Sequence, residues 1–94
     1  MLREGANTGQ SDEDRETRLK RMKIRSWRRG IKEMDLILGP FADGALRAQN
    51  DTFLDAYDAL LNEYDQDLYM WFSGQTAAPA EHQATIETIM SARA

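Results

Sequence analysis

The chain reads as an all-α protein, a compact bundle of four to five helices. Three observations predict this. Apolar residues recur only at helical spacing, as in Ile31, Met34, Leu38 and Phe41. Nowhere do four or more β-branched or aromatic residues alternate with polar ones, as a half-buried strand would require. Helix-stopping and helix-starting residues punctuate the sequence at Gly30, Asn50-Asp51, Asp65, Ser73-Gly74 and Pro79.

The elements follow in order. Residues 1–11 hold Gly5, Asn7, Thr8, Gly9 and Gln10 with almost nothing apolar, and read as a disordered tail; residues 12–94 read as one helical domain. Ser11 or Asp12 is suited to cap a first helix, with acids in its opening turn. That helix runs to about Arg29. Leu19, Met22, Ser26 and Trp27 share a face, Arg25, Arg28 and Arg29 complement the C-terminal dipole, and Gly30 stops it. A second helix runs from Ile31 past Leu38, and Pro40 should kink or end it. A third starts at Asn50 or Asp51 and carries Phe53, Leu54, Tyr57, Leu60, Leu61 and Tyr64. Asp65 is placed to cap a fourth, Gln66 to Phe72, closed by Ser73-Gly74. Residues 76–79 form a linker, and Pro79 suits the first turn of a fifth helix bearing Ile86, Ile89 and Met90.

Composition narrows the chemistry. Ninety-four residues make one domain, and a chain of this size buries only about 60–65% of its unfolded surface. That leaves little room for both a core and a deep catalytic cavity. There is no cysteine, hence no disulfide, thiol nucleophile or thiolate metal site. No apolar run reaches the roughly 20 residues of a membrane span. No apolar segment follows Met1-Leu2-Arg3, and acids at Glu4, Asp12, Glu13, Asp14 and Glu16 interrupt the positive charge a transit peptide needs. These features point to a bacterial cytoplasmic protein.

The net charge of -4 hides an asymmetry. Residues 15–32 carry nine Lys/Arg against one Glu, whereas residues 33–94 carry two Arg against eleven Asp/Glu. Such a dipole steers encounters with charged partners; alternatively, the basic helix packs beside the acidic ones and the charges cancel.

Catalytic constellations are missing. The single histidine, His82, lies in a polar stretch and reads as solvated. No phosphate loop or dinucleotide fingerprint occurs, and the Glu63, Asp65, Asp67 cluster reads as helix capping plus a solvated face. The chain is therefore not expected to be an enzyme, to hold a metal or to bind a cofactor tightly. Trp27 and Trp71 are the two tryptophans.

Arg29-Gly30-Ile31-Lys32-Glu33 is the most informative stretch. Taken alone, it is a helix junction: a glycine cap, a dipole-matched arginine and an early-turn acid. It also suits docking. Bare backbone at a glycine admits another backbone closely, an arginine can grip a carboxylate at two points, and Glu33 lies one turn away. The surrounding residues are more specific. Arg28 to Asp35 leads into Gly39-Pro40-Phe41, and Leu60-Leu61-Asn62-Glu63-Tyr64-Asp65-Gln66-Asp67-Leu68-Tyr69-Met70-Trp71 follows.

That order and spacing, over roughly residues 15–92, closely resembles the small assembly factors for the flavoprotein subunit of succinate dehydrogenase, the family that promotes covalent FAD attachment. The resemblance implies that Arg29, Gly30 and Glu33 lie on the surface that docks on the flavoprotein, with Asp35 and Trp71 as further partner-binding candidates. Phe41 and Leu68 match the pattern as core residues, and Trp71 as either core or contact. FAD would be acted on through the partner, whose own histidine takes the covalent bond. The resemblance thus implies binding to the flavoprotein subunit of succinate dehydrogenase, with that of fumarate reductase as a second candidate client. The expected factor is a monomer when free, with no nucleic-acid partner and no membrane insertion. Two rival classes share the scaffold: an antitoxin-like or regulatory interaction module, and a nucleic-acid-binding domain using residues 15–32.

Overall fold

The computed structural model describes residues 13–93, so the tail at 1–11, the expected caps Ser11 and Asp12, and Ala94 lie outside the described residues. Five α-helices account for the fold: α1 (Arg15–Trp27), α2 (Lys32–Asp43), α3 (Asp51–Leu61), α4 (Asp65–Phe72) and α5 (Ala80–Arg93). A single 3-10 turn, Ala45–Ala48, joins α2 to α3. No strand occurs among the described residues.

Asp14 caps α1, its carboxylate accepting from the Thr17 N–H at 2.7 Å. That hydrogen bond to the backbone holds the Asp14 carboxyl below the ordinary carboxylate range. The helix ends at Trp27, two residues before the expected limit, because Arg28 already leaves helical geometry. Asn50 caps α3 by accepting from Phe53 N–H at 2.8 Å.

Pro40 neither ends nor interrupts α2, which continues to Asp43. Proline removes the N–H that would bond the carbonyl four residues back. The carbonyl so released belongs to Leu36, and it accepts instead from Arg93 Nη1 of α5 at 3.2 Å. Among the described residues the left-handed glycine is Gly74 (φ 81°), which closes α4. Gly30 is not left-handed, contrary to its reading as such a helix cap.

The core takes residues from every helix: Leu19 and Met22 of α1, Met34, Leu38 and Phe41 of α2, Leu54, Tyr57, Leu60 and Leu61 of α3, Leu68 and Phe72 of α4, and Ile86 and Ile89 of α5. Phe41, Phe53 and Tyr57 make an aromatic group with centroids 5.5 to 6.1 Å apart. Two hydroxyls are buried with them. Ser26 Oγ lies 2.8 Å from Met22 O and 2.6 Å from the Tyr57 hydroxyl, which also faces Leu38 O at 3.5 Å. Burial pushes the Tyr57 phenol up to about 12, the Ser26 bond only partly opposing it.

Helices α1 and α3 run parallel, as their ion pairs show. Arg15 meets Asp51 at 2.8 Å, Arg18 meets Asp55 at 2.6 Å, Arg21 meets Asp58 at 3.0 Å, and Arg25 meets Asp58 at 3.0 Å and Asn62 at 2.7 Å. The basic run therefore packs on the acidic helix and its charge is largely matched within the chain. Burial alone would raise the Asp58 carboxyl. The Arg21 hydrogen bond and the charges of Arg21, Arg25 and Arg18 together outweigh it and leave Asp58 below the usual range.

Candidate functional site

Residues 28–31 join α1 to α2, and polar contacts fix this short link. The Arg28 N–H closes α1 on Ile24 O at 3.1 Å. Ile31 turns extended (φ -123°, ψ 127°) and opens α2 without a side-chain cap. The Asp35 carboxylate, one turn into α2, reaches back and accepts from the Arg29 N–H at 2.8 Å.

The Arg29 side chain runs inward to the turn between α3 and α4. Its Nε donates to Asp65 Oδ1 at 2.7 Å, Nη1 to Leu61 O at 2.9 Å and Nη2 to Glu63 O at 3.0 Å. The second Asp65 oxygen accepts from the Gly30 N–H. The side chains of Arg29 and Asp65 are only 9% and 12% exposed. Asp65 thus holds two successive residues of the link with one carboxylate. It sits in the first turn of α4 but does not cap that helix, which has Tyr64 at the cap position.

This arrangement explains the glycine. A Cβ on Gly30 would lie 3.0 Å from Asp65 Oδ2, so a bare backbone is what lets the carboxylate come so close. A second close approach occurs at Gly39 in α2, where a Cβ would fall 2.4 Å from the indole of Trp27. Trp27 lies across that glycine and donates Nε1–H to Asp43 at 3.0 Å.

The predicted partner-binding residues separate accordingly. Gly30 and Glu33 are exposed, and Glu33 makes no side-chain hydrogen bond or ion pair among the described residues. Arg29 and Asp35 brace the link from within. The two-point grip expected between Arg29 and a partner carboxylate is instead directed at Asp65 and two carbonyls of this chain. Tyr64, beside Asp65, is 77% exposed. Trp71 is half-buried against the core, in a separate cluster with His82.

His82 is not solvated, as its polar neighbours in sequence had suggested. Its side chain is 3% exposed, its ring lies 5.6 Å from that of Trp71, and Nε2 is 2.8 Å from Glu63 Oε2. Since a carboxylate only accepts, Nε2 carries the proton. Nδ1 is buried without a partner. Glu63, Glu81 and His82 bring three potential metal ligands within 4.8 Å of one another. A metal on Nε2 would force the proton onto Nδ1, leaving a buried N–H with nothing to accept it. The direct hydrogen bond to Glu63 suits these residues better.

Asp65 and His82 were missed as buried groups by sequence reasoning. No local signal marked either residue, since the contacts that bury them come from distant segments.

A family model described as "Flavinator of succinate dehydrogenase" matches residues 20–93. The chain therefore belongs to that family. It is 48% identical over 59 residues, 63% of this chain, to succinate dehydrogenase assembly factor 2, mitochondrial, of Meyerozyma guilliermondii, covering 44% of that protein. It is 39% identical over 75 residues, 80% of this chain, to the Schizosaccharomyces pombe protein of the same name, covering 54% of it. With that of Mycosarcoma maydis it shares 35% over 80 residues, 85% of this chain and 34% of the relative. The chain thus spans from a third to about half the length of these relatives. All three are named as mitochondrial proteins of fungi, which overturns the expectation of a bacterial cytoplasmic protein. No described helix is long and apolar enough to cross a membrane.

Proposed function

We propose that this protein is a non-catalytic assembly factor that binds the flavoprotein subunit of succinate dehydrogenase and promotes its covalent flavinylation. The family match across residues 20–93 carries this reading. The Arg29–Gly30 junction supplies its residue-level basis. Buried contacts from Arg29, Asp35 and Asp65 brace a link whose outer side offers the Gly30 backbone and the unengaged carboxylate of Glu33.

The factor acts by binding preferentially one arrangement of the partner's domains, in which the partner's histidine lies near the flavin ring. FAD is held by the partner and not tightly by this chain; titration of the purified protein with FAD should show weak binding at most. The fumarate reductase flavoprotein is a second candidate client.

The deciding assay is in-gel flavin fluorescence of the flavoprotein subunit in cells lacking their native factor. Glu33→Ala removes an exposed side chain and should change stability by less than about 0.5 kcal/mol. It should nevertheless impair flavin attachment, as should Gly30→Arg. Full flavinylation by both variants would reduce the junction to a helix connector.

A further inference from the structure

The turn between α3 and α4 is held from two sides. On one side Arg29 binds the Leu61 and Glu63 carbonyls and the Asp65 carboxylate. On the other, the Glu63 side chain meets His82 of α5. Glu63 therefore accepts from Arg29 through its backbone and from His82 through its carboxylate.

We propose that His82 is a positioning residue for the Arg29–Gly30 junction, acting through Glu63. Arg25 of α1 also reaches this turn, at Asn62, but among the described residues His82 is the one side chain of α5 that bonds it. The histidine is nearly fully buried, lies against Trp71, and makes one side-chain hydrogen bond among the described residues, at 2.8 Å to Glu63, with Glu81 further off at 3.8 Å. An apolar side chain would fill the same space without desolvating a ring nitrogen. What the histidine adds is the directed bond to Glu63. That bond sets where the Glu63 carbonyl points, and so where Arg29 and Gly30 rest. Presentation of Gly30 and Glu33 to a partner then depends on a residue about 50 positions further along the chain.

The consequence for flavinylation rests on the proposed function; the structural part does not. The test uses the full chain labelled with nitrogen-15. His82→Leu fills the site but cannot bond Glu63, whereas His82→Gln can. In His82→Leu, hydrogen exchange at the Gly30 N–H and the Arg29 Nε–H should quicken about tenfold, the effect of one hydrogen bond to a charged acceptor. The Leu54 and Leu60 amides in α3 should quicken less. Flavinylation should fall in parallel, and His82→Gln should restore both. If His82→Leu does not fold, Glu63→Ala carries the same prediction.

Unchanged junction exchange, or equal acceleration throughout the protein, would make His82 a packing residue and overturn the proposal. Failure of the unaltered protein to promote flavinylation would instead refute the proposed function, and the exchange rates would still decide the role of His82.

Discussion

Gly39→Ala should destabilise this protein, although the same change in an exposed helix would stabilise it. Alanine is favoured over glycine inside a helix by about 1 kcal/mol. Against this stands the indole of Trp27, whose atoms would lie 2.4 to 2.6 Å from the new methyl. Carbon atoms in contact prefer about 3.5–4.0 Å, so the ring must retreat by about 1 Å or more. Trp27 is 38% exposed and can swing outward. A tryptophan buries about 150–250 Å², and losing about 80 Å² of that contact would remove roughly 2 kcal/mol. The Trp27 bond to Asp43 adds about 1 kcal/mol if it breaks. Subtracting the helix preference leaves a net loss of about 1–2 kcal/mol, in the range of overpacked sites. Urea denaturation followed by far-UV circular dichroism measures it. The sharper test is the sign in a Trp27→Ala background, where Gly39→Ala should stabilise by about 1 kcal/mol. A stabilised single variant, or the same sign in both backgrounds, would refute the reasoning.

Asp65→Ala should destabilise by about 3 kcal/mol, because it leaves the Arg29 guanidinium buried with two carbonyls but no counter-charge. Asp65→Asn keeps an acceptor and should lose about half as much; a loss under about 0.5 kcal/mol for Asp65→Ala by denaturant titration would show the junction relaxes freely. Acid should destabilise the fold in a defined direction. The folded-state carboxyls of Asp58, Asp14 and Glu16 lie below their ordinary values, Glu16 chiefly through its hydrogen bond from Arg47. The unfolded chain therefore takes up protons first, so their contribution is complete above about pH 5 and fades as pH falls through the lowered values. Melting temperatures measured across that interval should drop with pH, and less steeply in Asp58→Asn. A flat profile would mean the ion pairs between α1 and α3 add nothing.

Much of the fold was legible because burial in helices follows a period. Met34, Leu38 and Phe41, and likewise Leu54, Tyr57 and Leu61, are spaced to face one side, and all are buried. What escaped was set by contacts between distant segments. Pro40 looked like a helix stop because its effect on the Leu36 carbonyl is offset by Arg93, 57 residues from Leu36. Gly30 looked like a left-handed cap, whereas its lack of a Cβ serves the approach of a carboxylate 35 residues away. The motif's position was readable; the inward direction of Arg29 was not, since nothing local reveals that Asp65 lies beneath it. His82 looked solvated because its sequence neighbours are polar, while its burial comes from Glu63 and Trp71.

The ladder of arginines on α1 against acids on α3 has a periodic character with a cost in precision. Sliding α1 by one turn, about 5.4 Å, would bring Arg18 toward Asp51 and Arg21 toward Asp55 while Arg25 kept Asp58, trading old pairs for equivalent new ones. The charges therefore draw the two helices together without specifying their alignment. Alignment comes from the features that do not repeat. The Ser26 and Tyr57 hydroxyls meet at one offset only, both fully buried. A slip would strand at least one of them without a partner, at about 1–3 kcal/mol. Arg29 fits the Leu61 and Glu63 carbonyls at that same offset. The arginine of the junction between α1 and α2 thus also acts as the key that selects one register from several that the ion pairs would accept.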